Sequence, residues 1–286
     1  MDKPAIIISF YYQKGGVAKT TSTVNIAACA ATKQNKNTKA RNRVLIIDFD
    51  SQASTTKHFD CYDENQNNIY DVLKGNCELK EIIKRKEYDY GKDGYCYIDV
   101  VPSTQLMHSV EDQYYSLDYP DARLSIALEP IIYDYDYIFI DCPPEKDCLF
   151  KNAFNVTDYF VFATELMPIT KERIKQTVSM IDELTTMNVP GQILGFCINK
   201  YIPDFNVDLL NKKKQKDYIK EYEQFYPVFK SKIPNSGAIS TAFVHHLPIP
   251  FLNRKKHKCK KVCSLYMKLT DEILNKIEVL EKEKGG

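Results

Sequence analysis

Six short apolar runs recur along the chain and predict the strands of a β-sheet. They are Ile6–Phe10, Val44–Ile47, Ile98–Val101, Tyr137–Ile140, Phe160–Ala163 and Ile193–Ile198. Longer amphipathic or polar stretches separate the runs, which is the rhythm of βαβ units. Because the runs are apolar almost throughout, we expect helices to cover both faces of the sheet. The pattern therefore predicts an α/β fold with a mostly parallel twisted sheet, and functional residues at the carboxyl ends of its strands.

A loop with two glycines follows the first run. Residues 14–21 read Lys-Gly-Gly-Val-Ala-Lys-Thr-Thr and lead into an Ala-rich helical stretch. The N–H groups of such a loop converge on one point, where the helix N-terminus adds partial positive charge, so the loop is expected to bind phosphate. Lys19 can reach the β- and γ-phosphates, and the Thr20 hydroxyl can bind a Mg²⁺ that bridges them. The predicted nucleotide-binding residues are Gly15, Gly16, Val17, Ala18, Lys19, Thr20 and Thr21.

Two later runs end in carboxylates. Asp48 and Asp50 follow the second run, and strand alternation would place both on the side of the phosphate loop. A carboxylate there can orient a water for attack on the γ-phosphate. Asp141 follows the fourth run and precedes two prolines, so it can bind Mg²⁺ through water where the chain leaves the sheet. The alternative is that an aspartate at a strand end only forms a turn or caps a helix.

These three segments together resemble the ParA/MinD family of ATPases with a deviant Walker A box. Gln13 and Ala18 stand where the ordinary phosphate loop has its glycines. The resemblance implies a P-loop NTPase (Rossmann-like) fold that hydrolyses ATP with Mg²⁺. It makes Lys14 the signature lysine that reaches the partner subunit's nucleotide, Asp50 the residue that positions the attacking water, and Asp48 a supporting residue. Ser51 replaces the proline usual after Asp50.

The resemblance also suggests where the adenine binds. The sixth run ends in Asn199, and a carboxamide at that strand end pairs with the base in the family. A later Ile-Pro segment closes over the base, and Ile233–Ser236 resembles it, so Pro234 and Asn235 are expected at the nucleotide with Asn199. Asn235 and Ala238 stand where many chromosomal relatives carry arginines that contact DNA.

Within the family, the chain resembles the small ParA/Soj-type partition ATPases. The phosphate loop begins at residue 14, which leaves no room for an N-terminal helix-turn-helix domain. The resemblance implies weak intrinsic ATPase activity, an ATP-bound sandwich homodimer and binding to DNA without sequence preference. It also implies release by a centromere-bound ParB-like adaptor, and a cytoplasmic, nucleoid-associated location. We expect one P-loop domain over residues 1–286, with a C-terminal helix at about 262–282.

Overall charge does not identify an acidic partner, since 39 Lys and Arg residues face 38 Asp and Glu residues. Three local basic clusters could supply contacts to DNA phosphates, although a solvated face is the alternative for each. They comprise Lys33, Lys36, Lys39, Arg41 and Arg43; Lys212, Lys213, Lys214 and Lys216; and Arg254, Lys255, Lys256, Lys258, Lys260 and Lys261. Nine cysteines without a C-x-x-C pair favour reduced thiols. No apolar run approaches the ~18 residues of a membrane span.

Two other classes share the deviant loop. A MinD-like membrane-surface ATPase ends in a basic amphipathic helix, and Leu265–Leu280 follows a basic run here. Its polar face carries several acids, which favours packing on the sheet: Asp271, Glu272, Glu278 and Glu281. A nitrogenase-type iron protein needs two cluster-binding cysteines per subunit. Cys142 and Cys148 lie near the fourth run without a matching glycine-rich context, so we interpret both as structural.

Overall fold

The computed structural model describes residues 3–36, 38–109, 118–144, 148–165, 191–202, 209–252 and 257–284, with single helical positions between 176 and 186. Its strands are β1 Ile6–Tyr11, β2 Val44–Asp48, β3 Lys84–Asp89, β4 Tyr95–Val101, β5 Tyr137–Asp141, β6 Tyr159–Glu165 and β7 Gln192–Asn199. The helices bounded within these ranges are α1 Lys19–Ala31, α2 Ser54–His58, α3 Ile69–Lys74, α4 Leu79–Ile82, α5 Arg123–Leu128, α6 Cys148–Val156, α7 Leu209–Glu223, α8 Gly237–Val244 and α9 His257–Lys284.

The strands form one seven-stranded sheet in the order β3-β4-β2-β5-β1-β6-β7. Every neighbouring pair is parallel except β3 and β4, so the prediction of a mostly parallel sheet is confirmed. Each of the six apolar runs lies within a strand. Register places Asp141 of β5 opposite Phe10 of β1 on one side and Asp48 of β2 on the other. The carboxyl ends of β1, β2 and β5 therefore meet at one edge.

Alternate residues of the strands pack into two separate hydrophobic cores, one on each face of the sheet. Leu45 and Ile47 pack with α3 to α6 on one face, whereas Val44 and Ile46 pack with α1, α8 and α9 on the other. Helices on both faces, as predicted, explain why the strand runs carry so few polar residues. Within the described residues, no helix has the length and apolarity needed to span a membrane.

Strand β3 was not predicted from the sequence. Its six residues read Lys-Arg-Lys-Glu-Tyr-Asp, and Tyr88 alone among them is buried. An edge strand at the sheet margin needs only one covered face, and charged residues on it discourage pairing with another chain. Hydrophobic periodicity cannot find such a strand.

Gly195 allows a close backbone approach in β7. Its φ is +147°, and a Cβ placed there would lie 2.2 Å from the carbonyl oxygen of Pro227. The segment after α7 consequently runs alongside β7, with the Phe196 N–H donating to the Pro227 carbonyl at 2.8 Å. This approach leads the chain back to the carboxyl end of β7, where α8 begins.

Helix α9 packs along one face of the sheet. Its apolar stripe is fully buried against α1 and the strands: Tyr266, Leu269, Ile273 and Ile277. Three of its acids form ion pairs with lysines at the amino ends of the strands: Asp271 with Lys33, Glu278 with Lys36, and Glu281 with Lys3. The C-terminal half of the helix is thereby tied to the amino ends of the strands.

Candidate nucleotide site

The loop between β1 and α1 has the backbone conformation that a phosphate cradle needs. Gly16 and Ala18 adopt left-handed conformations, with φ of +76° and +67°. A Cβ at Gly15 or Gly16 would meet no atom within 4 Å, so the loop borders open space. Helix α1 starts without a side-chain cap and without an acid in its first turn. Its first N–H groups are therefore available to an anion.

A cavity of about 410 Å³ opens at this loop, within the usual size range of a small-molecule site. The loop forms one wall, and the segment after β2 together with α8 forms the other. The lining residues are Gly15, Gly16, Ala18, Lys19, Thr20, Thr21, Asp50, Gln52, Ser54, His58, Pro144, Lys200, Ile239 and Phe243.

Asp141 is fully buried beside the loop. Its Oδ2 accepts a hydrogen bond from the Thr55 hydroxyl at 2.9 Å, whereas Oδ1 has no hydrogen-bond partner among the described residues. Burial, followed by the charge of Asp50, raises the pKa of Asp141 to about 6, and Thr20, Thr55 and Lys19 oppose the shift. A buried carboxylate oxygen without a partner can accept a hydrogen bond from a metal-bound water.

Asp48 and Asp50 occupy different positions although Asp48 ends β2 and Asp50 lies only two residues further on. The Oδ2 of Asp48 accepts from the Thr56 N–H at 2.7 Å and from its hydroxyl at 2.6 Å. Burial and the nearby Asp141 raise the pKa of Asp48 well above its ordinary value. Asp50 lines the cavity, and its Oδ1 accepts from the Gln52 N–H at 2.8 Å. Asp50 therefore faces the ligand space, while Asp48 holds the start of α2.

Residues from the ends of β6 and β7 support the loop from behind. Asn199 is buried; its Oδ1 accepts from the Ser22 hydroxyl at 3.1 Å and its Nδ2 donates to the Val17 carbonyl at 3.3 Å. Lys200 donates to the Gly16 carbonyl at 2.7 Å and forms an ion pair with Glu165. These bonds fix the loop backbone in its left-handed turns.

Half of the predicted site residues line the cavity, and the other half, among them the buried Asp48 and Asp141, lie outside its lining. Lys14 is exposed on the loop, and Val17 is buried beneath it. Pro234 is buried and pairs with Tyr201 beside β7, and Asn235 is exposed. Contact of Asn199, Pro234 and Asn235 with adenine stays a prediction.

Several lining residues were missed by the sequence analysis. Lys200 directly follows Asn199 at a strand end, a signal that was available. The side chains of His58 and Phe243 come from separate helices and meet edge-on, with ring centroids 5.6 Å apart. Burial lowers the pKa of His58 to about 4, which keeps its ring neutral. Nothing in the spacing of these two residues points to their meeting.

The described residues contain no cluster of three or more His, Cys, Asp and Glu side chains arranged to hold a metal ion. A cation here would need ligands from a bound phosphate, which is typical of Mg²⁺ at phosphate sites. The Thr20 hydroxyl and the unpartnered Oδ1 of Asp141 fit such an ion.

Comparison with known proteins identifies relatives over most of the chain. Residues 5–190 match the family model AAA_31, described as an AAA domain. The sporulation initiation inhibitor protein Soj of Bacillus subtilis is 28% identical over 245 residues, covering 85% of this chain and 89% of Soj. The chromosome partitioning protein ParA of Myxococcus xanthus is 26% identical over 272 residues, covering 94% of this chain and 88% of that protein.

Solved structures agree on the fold. A cobyrinic acid a,c-diamide synthase from Mycobacterium smegmatis, with bound ADP and magnesium, has a TM-score of 0.73 at 20% identity and covers 96% of both chains. A plasmid partition protein from Borrelia burgdorferi bound to AMPPNP has a TM-score of 0.71 at 22% identity, covering 96% of this chain and all of that one. The predicted P-loop NTPase fold is thereby confirmed. The chain belongs to the AAA domain family AAA_31 and is a ParA/MinD-type ATPase related to the partition proteins.

Proposed function

We propose that this protein is a DNA-partition ATPase that binds ATP and Mg²⁺, forms a sandwich homodimer and holds DNA without sequence preference until hydrolysis releases it. The stimulating partner would be a ParB-like adaptor bound at a centromere, and the working location the nucleoid in the cytoplasm. The cavity at the phosphate loop, which is lined by Lys19 and Asp50 and lies beside the buried Asp141, is the observation that carries the proposal.

The residues at the cavity fit ATP with Mg²⁺. The open N–H groups at the start of α1 receive the phosphates, and Lys19 neutralises the β- and γ-phosphates. The Thr20 hydroxyl would bind the metal directly, and Asp141 would bind it through a water. When bound, Mg²⁺ draws electron density from the phosphate oxygens and so lowers the cost of negative charge there. Lys19 also lowers the pKa of Asp141, which favours the ionised carboxylate.

Hydrolysis needs a water aligned with the γ-phosphate. Asp50 lines the cavity and has one carboxylate oxygen engaged by its own turn, at the Gln52 N–H. We assign the Asp50 carboxylate to accept a hydrogen bond from the attacking water. Since alignment is the main contribution of such a residue, the expected intrinsic rate is low.

The exposed rim of the cavity supports dimerisation through this face. Lys14 is exposed on the loop, where it can reach a nucleotide bound by a second copy. Phe243 and Val244, at the end of α8, are 44% and 70% exposed although Phe243 lines the cavity. A partner subunit laid over this rim would bury both side chains and exclude water from the phosphates.

A groove at the carboxyl end of β7 supports DNA binding. It has a volume of about 680 Å³, and four of its lining residues are lysines from two segments, the stretch before α8 and helix α9. We call it the lysine groove: Lys230, Lys232, Lys261 and Lys268. Its acids are already engaged, because Glu272 accepts from the N–H groups of Lys230 and Ser231 within the groove at 2.6 and 2.9 Å, and Asp271 pairs with Lys33. Several lysines that line one groove attract a phosphate backbone more strongly when the nearby carboxylates are already engaged.

The first basic cluster of the sequence is a weaker candidate. Lys33 and Lys36 form ion pairs with α9, and Arg43 forms one with Asp136. Arg41 donates to the carbonyls of Thr32 and Asp93. In the other two clusters, Lys213, Lys214, Lys216, Lys260 and Lys261 are exposed or partly exposed. Residues 254–256 and the side chains of Lys212 and Lys258 lie outside the described residues.

Binding to random-sequence duplex DNA tests the proposal. The protein is assayed without nucleotide, with ADP and with ATP, at two salt concentrations. We expect salt-sensitive binding with ATP alone. Lys232→Ala and Lys268→Ala should each reduce the salt slope by about one, because each removes one lysine that pairs with a DNA phosphate. Lys36→Ala, at an ion pair with α9, is the matched control and should bind as wild type does. Absence of DNA binding in every nucleotide state contradicts the proposal.

Dimerisation is tested separately at the signature lysine. Lys14→Gln should bind ATP as wild type does but sediment as a monomer with ATP, because glutamine supplies no charge to the partner's phosphate. A Lys14→Gln protein that still dimerises with ATP would show that the role of Lys14 has been wrongly assigned. Lys39→Ala, which removes another exposed lysine, serves as control.

The MinD-like alternative finds less support. An interfacial helix must offer its apolar face to the membrane, and that face of α9 is buried against the sheet at Leu269, Ile273 and Ile277. Undocking α9 would expose these side chains together with the core beneath them. Binding to anionic vesicles with ATP, in the absence of DNA binding, is the result that would favour this alternative.

A further inference from the structure

Asp50 stands at the first position of a tight turn. The Ala53 N–H donates to the Asp50 carbonyl at 2.9 Å, which closes a β-turn over residues 50–53. Within it, the Gln52 N–H donates to the Asp50 side chain at 2.8 Å. Aspartate favours the first position of such turns because its side chain can accept from the N–H two residues on. The carboxylate and the turn therefore form one unit.

Two features work against this turn. Ala53 adopts a left-handed conformation, with φ of +51°, which costs an L-residue about 1 kcal/mol. The charge of Asp50 also lies close to Asp48 and Asp141, and this repulsion contributes to the raised pKa values of both. A turn with these two handicaps needs support from other parts of the chain.

The segment after β4 supplies that support. The Ser103 hydroxyl donates to the Asp50 carbonyl at 2.9 Å, and both residues are buried. The Ser51 hydroxyl and the Nε2 of His108 lie 2.9 Å apart and share a hydrogen bond, in which either group can be the donor. Met107, next to His108, is 1% exposed and anchors this segment in the core. Hydrogen bonds from this segment thus hold the turn at two successive residues, Asp50 and Ser51.

We propose that His108 is a positioning residue for hydrolysis, acting through Ser51 to hold Asp50 against the attacking water. This inference rests on the proposed role of Asp50. His108 itself is solvent-exposed and lies outside the cavity lining, so its effect on the γ-phosphate passes through the turn. Loss of the hydrogen bond should lower kcat and leave the affinity for ATP unchanged, because the hydrogen bond reaches the turn and not the phosphate loop.

The turn offers a substitution that makes His108 unnecessary. Ser51 occupies the second position of the turn, where proline is favoured because its fixed φ suits that conformation. The Ser51 N–H donates no hydrogen bond within the described residues, so proline would remove none. Ser51→Pro should therefore restrain the turn covalently, as the hydrogen bond to His108 does in the natural chain.

The kinetic test is a double-mutant cycle on the full chain, measured as phosphate release at saturating ATP and Mg²⁺. We expect His108→Ala to lower kcat about fivefold, the equivalent of one hydrogen bond, with KM for ATP unchanged. In the Ser51→Pro background the same change should have no effect. His108→Gln, which keeps a donor and acceptor near Nε2, should recover part of the rate. Leu106→Ala, in the same segment and exposed, is the control.

A second measurement does not depend on hydrolysis. Amide hydrogen exchange of peptides covering residues 48–56, in nucleotide-free protein, should be faster in His108→Ala and should return to the wild-type rate when Ser51→Pro is added. Unchanged exchange and unchanged kcat in His108→Ala would overturn the inference, as would equal losses of kcat in both backgrounds. If the wild-type chain hydrolyses ATP but ignores DNA, the expected exchange and kcat changes would still support the positioning role, while the partition function fails.

Discussion

The two ends of the sheet treat charge in opposite ways. At the amino ends of the strands, lysines meet acids of α9, and Asp136 accepts from Asn35 and Arg43. At the carboxyl ends, Asp48, Asp50 and Asp141 crowd together, and burial raises the pKa of Asp48 and of Asp141. Carboxylates at the first end form ion pairs with lysine and arginine side chains, whereas three carboxylates at the second end lie close to one another, and their charges contribute to the raised pKa values of Asp48 and Asp141. The comparison predicts that changes at the carboxyl end cost function and spare stability, with the reverse at the amino end.

The largest effect is expected at Lys19. Lys19→Ala should weaken ATP binding at least about 100-fold, because the β- and γ-phosphates lose the buried cation that compensates them. Isothermal titration with ATP and Mg²⁺ measures this. The melting temperature without nucleotide should stay close to wild type, and Lys36→Ala at the amino end should bind ATP normally. Normal binding by Lys19→Ala would place the phosphates elsewhere.

The next effect is expected at Asp50. Asp50→Ala should lower the hydrolysis rate about 100-fold, the usual contribution of a group that aligns or deprotonates the attacking water. Binding of ATP should persist, so the variant should accumulate as an ATP-bound dimer in sedimentation with ATP. Asp60→Ala removes an exposed carboxylate from the segment after α2 and should hydrolyse ATP as wild type does. A wild-type rate in Asp50→Ala would remove Asp50 from the mechanism.

A smaller effect, on stability, is expected at Asp141. The pKa of Asp141 in the folded chain is about 6, above the ordinary value of 3.8. The folded chain therefore binds this proton more tightly than the unfolded chain does, and it loses stability as the pH rises through the window from 3.8 to about 6. Asp141→Asn cannot ionise and should raise the free energy of unfolding by on the order of 3 kcal/mol above pH 6.

Urea unfolding without nucleotide, above and below the window, checks this prediction. The gain from Asp141→Asn should disappear at the lower pH, where the wild-type carboxyl is protonated. Asp134→Asn, at an exposed acid near the amino ends, should show no such gain. A variant that is less stable than wild type above pH 6 would mean that Asp141 is compensated within the folded chain.

The smallest effect is expected at the amino end. Asp136 accepts from the Arg43 N–H at 2.7 Å and from the Asn35 side chain at 2.9 Å. Asp136→Asn should lower the free energy of unfolding by about 1 kcal/mol, because hydrogen bonds to a charged acceptor weaken. ATP hydrolysis at a temperature where the variant is folded should be unchanged. If Asp136→Asn lowered the ATPase rate as much as Asp50→Ala does, the contrast in function between the two ends of the sheet would be wrong.

The strands and the phosphate loop were predictable because their signals are local. A continuous apolar run such as Val44–Ile47 is the direct sequence consequence of burial on both faces. Lys14, Lys19 and Thr20 belong to one short contiguous loop, so their spacing could be recognised in the sequence. Asp48 and Asp50 were expected on one side by strand alternation, but β2 ends at Asp48, and the turn beyond it separates their roles.

Charge and support contacts were not predictable because they join distant segments. The dense cluster at Lys33–Arg43 suggested a nucleic-acid surface, yet its ion-pair partners lie in α9 and at Asp136. Hydrophobic periodicity does not predict which charged residues of distant segments pair. The lysine groove is the opposite case, since Lys230 and Lys268 are far apart in sequence and line one groove. The hydrogen bond between Ser51 and His108 likewise depends on the pairing of β4 with β2, which brings the segments that follow these two strands close together.

The composition of α9 has a consequence for how the protein is made. Lys260 and Lys261 stand close to its start, where a helix carries partial positive charge, and its first turn holds no acid. These charges oppose the helix dipole, so the first turns of the segment gain little from forming a helix on their own. It is also synthesised after every strand of the sheet. During translation, Tyr266 and its apolar neighbours must therefore find their partners on α1 as the helix forms, and until then the apolar surface that α9 covers on this face is exposed to aggregation or to a chaperone.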